Sequence, residues 1–155
     1  MAADLAACAI EETRQLHAFF VAWFRGETGS DADFAPCEAA LAADFRMVTP
    51  DGEAHDRAAV VERLRSAHGS AGTDFVIEIL EPRAAWQSSD AVLLEFIERQ
   101  YRNGRTTSRR SSGLFSEEPA APRGVVWRHL QETWMQASAD DEIQMRAGTP
   151  LRREE

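Results

Sequence analysis

The sequence predicts an α+β domain in which three N-terminal helices pack on a curved, mainly antiparallel sheet. Two patterns carry this. Apolar residues recur at three- and four-residue steps through the first third of the chain, and from Asp74 onward strand-like runs follow one another between turn residues. The size agrees: 155 residues that are 44% apolar suit one core rather than two. The expected domain covers 1–138, with its core at about 10–136, and 139–155 reads as a peripheral charged tail.

The first helix is marked by Leu5, Cys8, Ala9, Glu12, Leu16, Phe19, Phe20 and Trp23 on one side, and Gly26 and Gly29 loosen its end. Asp31 or Asp33 can cap a short second helix carrying Phe34, Cys37 and Leu41. Phe45 to Thr49 reads as a short strand, closed by the turn Pro50-Asp51-Gly52. Asp56 is the N-cap of a third helix with Val60, Val61, Leu64 and Ala67 near one face. Four longer strands follow: Phe75 to Leu80, with a bulge or break at Glu81-Pro82 before Ala84 to Trp86; Val92 to Tyr101; Arg105 to Phe115 beyond the Asn103-Gly104 turn; and Val125 to Met135.

Composition removes several functions. The net charge is -9, and all 17 basic residues are arginine. That charge argues against general binding to nucleic acid or anionic lipid. Without lysine, no lysine Schiff base and no P-loop is available. No apolar run is long enough for a membrane-spanning helix, and the start of the sequence lacks the pattern of a secretory signal. Cys8 and Cys37 fall inside helices as small hydrophobes, which fits a reducing compartment and a cytoplasmic location. The four histidines, His17, His55, His68 and His129, lack close metal-ligand spacing, and no cofactor fingerprint is present, so no cofactor is expected. The acidic average conceals one basic stretch. Arg99 to Ser116 holds five arginines and no acid, a place to look for an anionic ligand or an acidic patch on a partner subunit.

The helical Trp23-Phe24 region, the run Asp44 to Gly52, Arg57 to Leu64, the strand Arg109 to Phe115 and the final Trp127 to Trp134 carry a resemblance. In the order and spacing of these elements, residues 10 to 136 resemble the nuclear-transport-factor-2-like superfamily, the cystatin-like α+β fold. The similarity is greatest to its small bacterial branch related to polyketide cyclases and ketosteroid isomerases. The resemblance implies a cone-shaped pocket between helices and sheet, and a homodimer formed through the sheet's outer face. It does not imply a reaction. The isomerase set of a carboxylate base opposed by tyrosine and a protonated aspartate has no position-by-position match here; the single tyrosine, Tyr101, lies near the end of a strand.

Candidate site residues follow from chemistry. Asp44, beside apolar Phe45, and Glu132 are candidate bases, while Arg109 and His129 are candidates for polarising a carbonyl or holding an anion. Strict alternation on the last strand places Trp127, His129, Gln131 and Thr133 on one face and Arg128, Leu130, Glu132 and Trp134 on the other. Arg109, His129 and Gln131 would then share a cavity lined by Phe19, Phe20, Trp23, Phe45 and Trp86. Alternatively, these polar residues lie on a solvent or interface face, held by Glu95, Glu98 or Glu132. Two functions remain open: an isomerase, cyclase or hydrolase-type enzyme acting on an apolar or carbonyl-bearing small molecule, and a non-catalytic ligand-binding or oligomerisation module.

Overall fold

A computed structural model describes residues 4–136. The expected tail at 139–155 lies outside the described residues. Three helices, α1 (Leu5–Arg25), α2 (Asp31–Ala39) and α3 (Arg57–Ser66), accompany six strands: β1 (Leu41–Val48), β2 (Ala54–Asp56), β3 (Val76–Gln87), β4 (Ala91–Arg102), β5 (Arg105–Glu117) and β6 (Val125–Trp134). The strands form one sheet in the order β2-β1-β6-β5-β4-β3. Among the described strands, only the β1–β6 pairing is parallel. This is the expected α+β architecture, an open curved sheet with helices packed on it.

Local chemistry sets the helix ends. Asp4 caps α1 by accepting from the Ala6 and Ala7 amides, and Gly26 ends it in the left-handed region at φ 76°. Ser30, rather than Asp31 or Asp33, caps α2, and Asp33 completes a reciprocal capping box from the third position. Asp56 caps α3 as expected, accepting from the Ala59 amide at 2.9 Å. The second helix stops at Ala39, so Leu41 opens β1 instead of closing α2. β1 is correspondingly longer than the expected Phe45–Thr49, and Thr49 belongs to the turn, where its carbonyl accepts from Gly52. β2 was not expected; at three residues it is too short for an alternation pattern. At Glu81-Pro82 the chain bulges without breaking: the register shifts between Leu80 and Arg83, Glu81 takes φ 52°, and the strand continues to Gln87.

One face of the sheet lies under the helices. Val92, Leu94, Phe96 and Glu98 on β4 are buried there, each alternating with a half-buried residue. Their partners on β5 are Phe115, Gly113, Ser111 and Arg109. The corresponding β6 residues are Trp127, Leu130, Glu132 and Trp134. β6 does not keep strict alternation. His129 pairs with Leu114 and Trp127 with Phe115, leaving Arg128 as an extra residue. This bulge moves Trp127 onto the face of Leu130, Glu132 and Trp134, and leaves His129 and Gln131 on the opposite, outer face.

Much of the core is aromatic and tightly fitted. Phe34, Phe75, Phe96, Phe115 and Trp127 are almost wholly buried. Gly113 is required by this packing, since a Cβ there would lie 2.8 Å from the Trp127 ring. Phe19, Trp23 and Phe34 pack as a cluster, with ring centroids 5.0 to 5.8 Å apart. Phe45 is also core, and Phe20 stacks on Phe24. These expected pocket-lining aromatics thus pack against one another. Trp86 is the exception: it lies on the edge strand β3 and is 57% exposed.

Candidate functional site

Continuing along the inner face, the pattern that buries Val92, Leu94 and Phe96 also buries Glu98. A carboxylate in that place requires partners. His17, on the inward side of α1, supplies the first: its Nε2 lies 2.9 Å from Glu98 Oε1, while its Nδ1 is 2.7 Å from the Thr13 carbonyl. A carbonyl only accepts, so Nδ1 carries a proton, and the second nitrogen faces a carboxylate. The pair is an imidazolium and a carboxylate. Burial by itself opposes both charges. It is outweighed by mutual attraction and hydrogen bonding, which raise the His17 pKa and, with Arg109, hold Glu98 down at about 2. The Gln100 amide donates to the other Glu98 oxygen.

Arg109 extends the cluster. Its Nε is 3.9 Å from Glu98 Oε2 and its Nη1 is 3.5 Å from Glu132 Oε1, charge contacts without hydrogen-bond geometry. Burial, and then the Glu98 carboxylate, raise the Glu132 carboxyl to about 7; Arg109 and His17 oppose this. Three buried polar atoms here have no hydrogen-bond partner among the described residues: Arg109 Nε, Ser111 Oγ and Glu132 Oε1. Ser111 and Glu132 are cross-strand partners, and Arg109 is two residues from Ser111 on the same face. The indole of Trp134 covers this end, with the Arg109 guanidinium 4.6 Å from its ring centre. Its N–H donates to Asp51 in the β1–β2 turn at 3.0 Å, and the residue is 42% exposed.

Glu12 provides a contrast. It is also fully buried, and burial raises its pKa, but both of its oxygens are occupied: Trp127 Nε1 donates to one at 3.0 Å and Arg123 Nη1 to the other at 3.2 Å. Glu12 is a satisfied structural carboxylate, whereas Glu132 Oε1 has the loose Arg109 contact and no hydrogen bond among the described residues.

Comparison with known proteins fixes the fold. No family model and no curated protein sequence matches the chain. Among solved structures, an NTF-2-like protein of unknown function from Pseudomonas aeruginosa is similar, at a TM-score of 0.75 and 27% identity, covering 83% of this chain and 99% of that one. The chain has the NTF2-like, cystatin-like fold. An uncharacterised protein with a cystatin-like fold from Caulobacter vibrioides shares it at TM-score 0.61 and 16% identity, over 93% of this chain and 99% of that one. So does a CaMKII hub from S. rosetta, at TM-score 0.68 and 11% identity, over 87% of this chain and 100% of that one.

Within the NTF2-like fold, the four candidate catalytic residues separate. Arg109 and Glu132 meet inside the cone. Asp44 and His129 do not join them. Adjacent strand residues face opposite ways, so burial of Phe45 turns Asp44 outward. Its side chain is 63% exposed and accepts from Arg128 Nη2 at 2.5 Å, without the desolvation expected of it. Asp44 borders a groove of about 480 Å³ with Arg46, His55 and Arg57. There His55 is engaged by Arg63 at 2.5 Å and by Glu53 at 3.3 Å. Gln131 lines a second groove, of about 340 Å³, on the outer face with Arg110, Ser112 and Thr133. His129 shares that outer face.

The cluster residues not anticipated as a site are His17, Glu98 and Ser111. Glu98 was detectable as the continuation of Val92-x-Leu94-x-Phe96, and His17 as a neighbour of Leu16 one turn from Phe20 on the apolar side of α1. Among the described residues there is no group of three or more acidic, histidine or cysteine side chains able to hold a metal, and no helix long and apolar enough to cross a membrane.

Proposed function

We propose that this protein binds a small organic molecule at the polar end of the cone, and that Glu132 is its proton-transfer group. Arg109 would orient or polarise a carbonyl of the ligand. The chemistry belongs to the general acid–base class that isomerases, cyclases and some hydrolases use. The observation that carries this reading is the 3.5 Å Arg109–Glu132 contact, made to a buried carboxyl oxygen that has no hydrogen-bond partner among the described residues. A carboxyl titrating near 7 is poised to lose or accept a proton at ambient pH, as acid–base catalysis requires. The neighbouring His17–Glu98 ion pair supports the site by fixing a charge beside it in a water-poor interior.

A ligand-observed NMR screen of small carbonyl-bearing compounds tests this reading. Hits are expected to compete with one another, to be lost in Arg109→Met and to be retained in Glu132→Gln. Conversion of any hit should disappear in Glu132→Gln. Hits that bind Arg109→Met as well as wild type would refute a site at Arg109.

A second reading, a scaffold for self-assembly, has its own observation. Leu93, Ile97 and Leu114 share the outer face and are only half-buried, with Trp86 exposed beside Leu93. Such a face suits a second copy of the chain, and we infer a homodimer formed through it. The hub likeness supports this only at the level of fold. Sedimentation velocity should give a dimer that Trp86→Glu with Leu114→Glu converts to monomer; a wild-type monomer at tens of micromolar would remove this reading. A homodimer is compatible with a ligand site in each cone.

A further inference from the structure

The orphan polar atoms in the cone specify a ligand class. When Glu132 is neutral, the orphan Nε–H of Arg109, the Ser111 hydroxyl and the Glu132 carboxyl can all donate, and no base is left among them. A ligand that completes this set must be rich in acceptors. It must also carry one negative charge, because Glu98 is neutralised by His17 while Arg109 loses its counter-charge once Glu132 takes a proton. A dianion is disfavoured by the Glu98 carboxylate, only 3.9 Å from Arg109 Nε. Leu130, half-buried on the same face, and Trp134 beside it provide apolar surface for the rest of the molecule.

We propose that the polar end of the cone is a proton-coupled site for a small monocarboxylate, held by Arg109, Ser111 and the neutral form of Glu132, and entered past Trp134. The inference rests on the ligand site proposed above and names its ligand class. The ligand carboxylate replaces Glu132 as the counter-ion of Arg109, a solvent proton moves onto Glu132, and no covalent bond changes. The charged groups facing Glu132 are His17 from α1, Glu98 from β4 and Arg109 from β5; Asp51 reaches the site only through the Trp134 indole. In the complex Glu132 is therefore the acid. Entry requires Trp134 to move, and its indole is held by one hydrogen bond to an exposed turn residue and by the Arg109 guanidinium against its ring.

Calorimetry of the intact protein with phenylacetate, between pH 6 and 8.5 and in buffers of different ionisation heat, tests the proposal. The expected result is uptake approaching one proton per bound ligand at pH 8, with affinity falling about tenfold per pH unit above the Glu132 titration. Glu132→Gln should bind phenylacetate without proton uptake or pH dependence. Arg109→Met should not bind it; if that variant does not fold, the wild-type pH series decides alone. Binding without proton uptake, equal binding of neutral phenylacetamide, or no saturable binding of phenylacetate would each overturn the carboxylate assignment. Phenylacetamide binding that depends on Arg109 would overturn it while leaving the carbonyl-ligand site intact. Binding of both probes independent of Arg109 would remove both.

Discussion

The two ends of the cone's inner face use one strand pattern for opposite purposes. At one end Val92, Phe115 and Trp127 fill the space between sheet and helices and leave Gly113 no room for a side chain. At the other, along the same strands, Glu98, Arg109 and Glu132 are also buried, but two of their polar atoms, Arg109 Nε and Glu132 Oε1, have no hydrogen-bond partner among the described residues. Alternation determines which residues go inside; it does not determine whether the inside becomes packing or chemistry. The first end contributes stability, and the second holds charges that stability alone would not select.

The packed end is the more sensitive of the two to a single substitution. Phe115→Ala should destabilise the protein by about 3–5 kcal/mol, measured by urea denaturation, because a wholly buried ring is removed from an aromatic cluster that cannot collapse around the void. A loss under about 1 kcal/mol would mean that this end is not the core it is taken to be.

Next in size is the ion pair. Glu98→Gln leaves the His17 imidazolium buried without its counter-charge and should cost about 3 kcal/mol near pH 6. The sign follows from Glu98, whose pKa falls from 4.5 to about 2 on folding. Its contribution is complete above pH 4.5 and disappears as pH falls towards 2, so the difference between variant and wild type should shrink in acid.

Glu132 should behave in the opposite way. Its carboxyl rises from 4.5 to about 7 on folding, so between those values the folded chain keeps a proton that the unfolded chain has released. Wild-type stability therefore falls as pH rises through that window. Glu132→Gln, which cannot ionise, should match wild type near pH 4.5 and exceed it by about 1–3 kcal/mol at pH 8. A variant less stable than wild type at pH 8 would show that Arg109 more than compensates the burial of Glu132. The smallest effect belongs to the cover: Asp51→Ala should change stability by less than about 1 kcal/mol yet increase quenching of Trp134 by acrylamide.

These outcomes bear on what was legible in the sequence. Helix caps, turns and the bulge at Glu81-Pro82 depend on a few neighbouring residues, and most could be read directly. Glu12 already stood in the apolar stripe of α1, which marks a charge that must find partners. The face of the last strand could not be read from parity, because the run Val125-Val126-Trp127 carries no alternation and the extra residue at Arg128 reverses the phase beyond it. That single bulge separates His129 and Gln131 from Arg109 and brings Glu132 to it. Asp44 was readable: a strand residue next to a buried Phe45 points away from the core.

The position of β6 has a consequence for how the chain folds. It lies between β1 and β5, so the N-terminal elements α2, β1, β2 and α3 join the β3–β4–β5 meander within the sheet only through Val125–Trp134. Among the described elements it is also the last to leave the ribosome. Until it emerges, the growing chain has two separate sheet fragments with unpaired edges at β1 and β5, the kind of exposure that favours mispairing. Joining β1 to β6 closes a loop of most of the domain, a non-local contact that slows folding. The strand that places Glu132 beside Arg109 is thus also the one that completes the sheet, so the site and the finished fold arise in the same step.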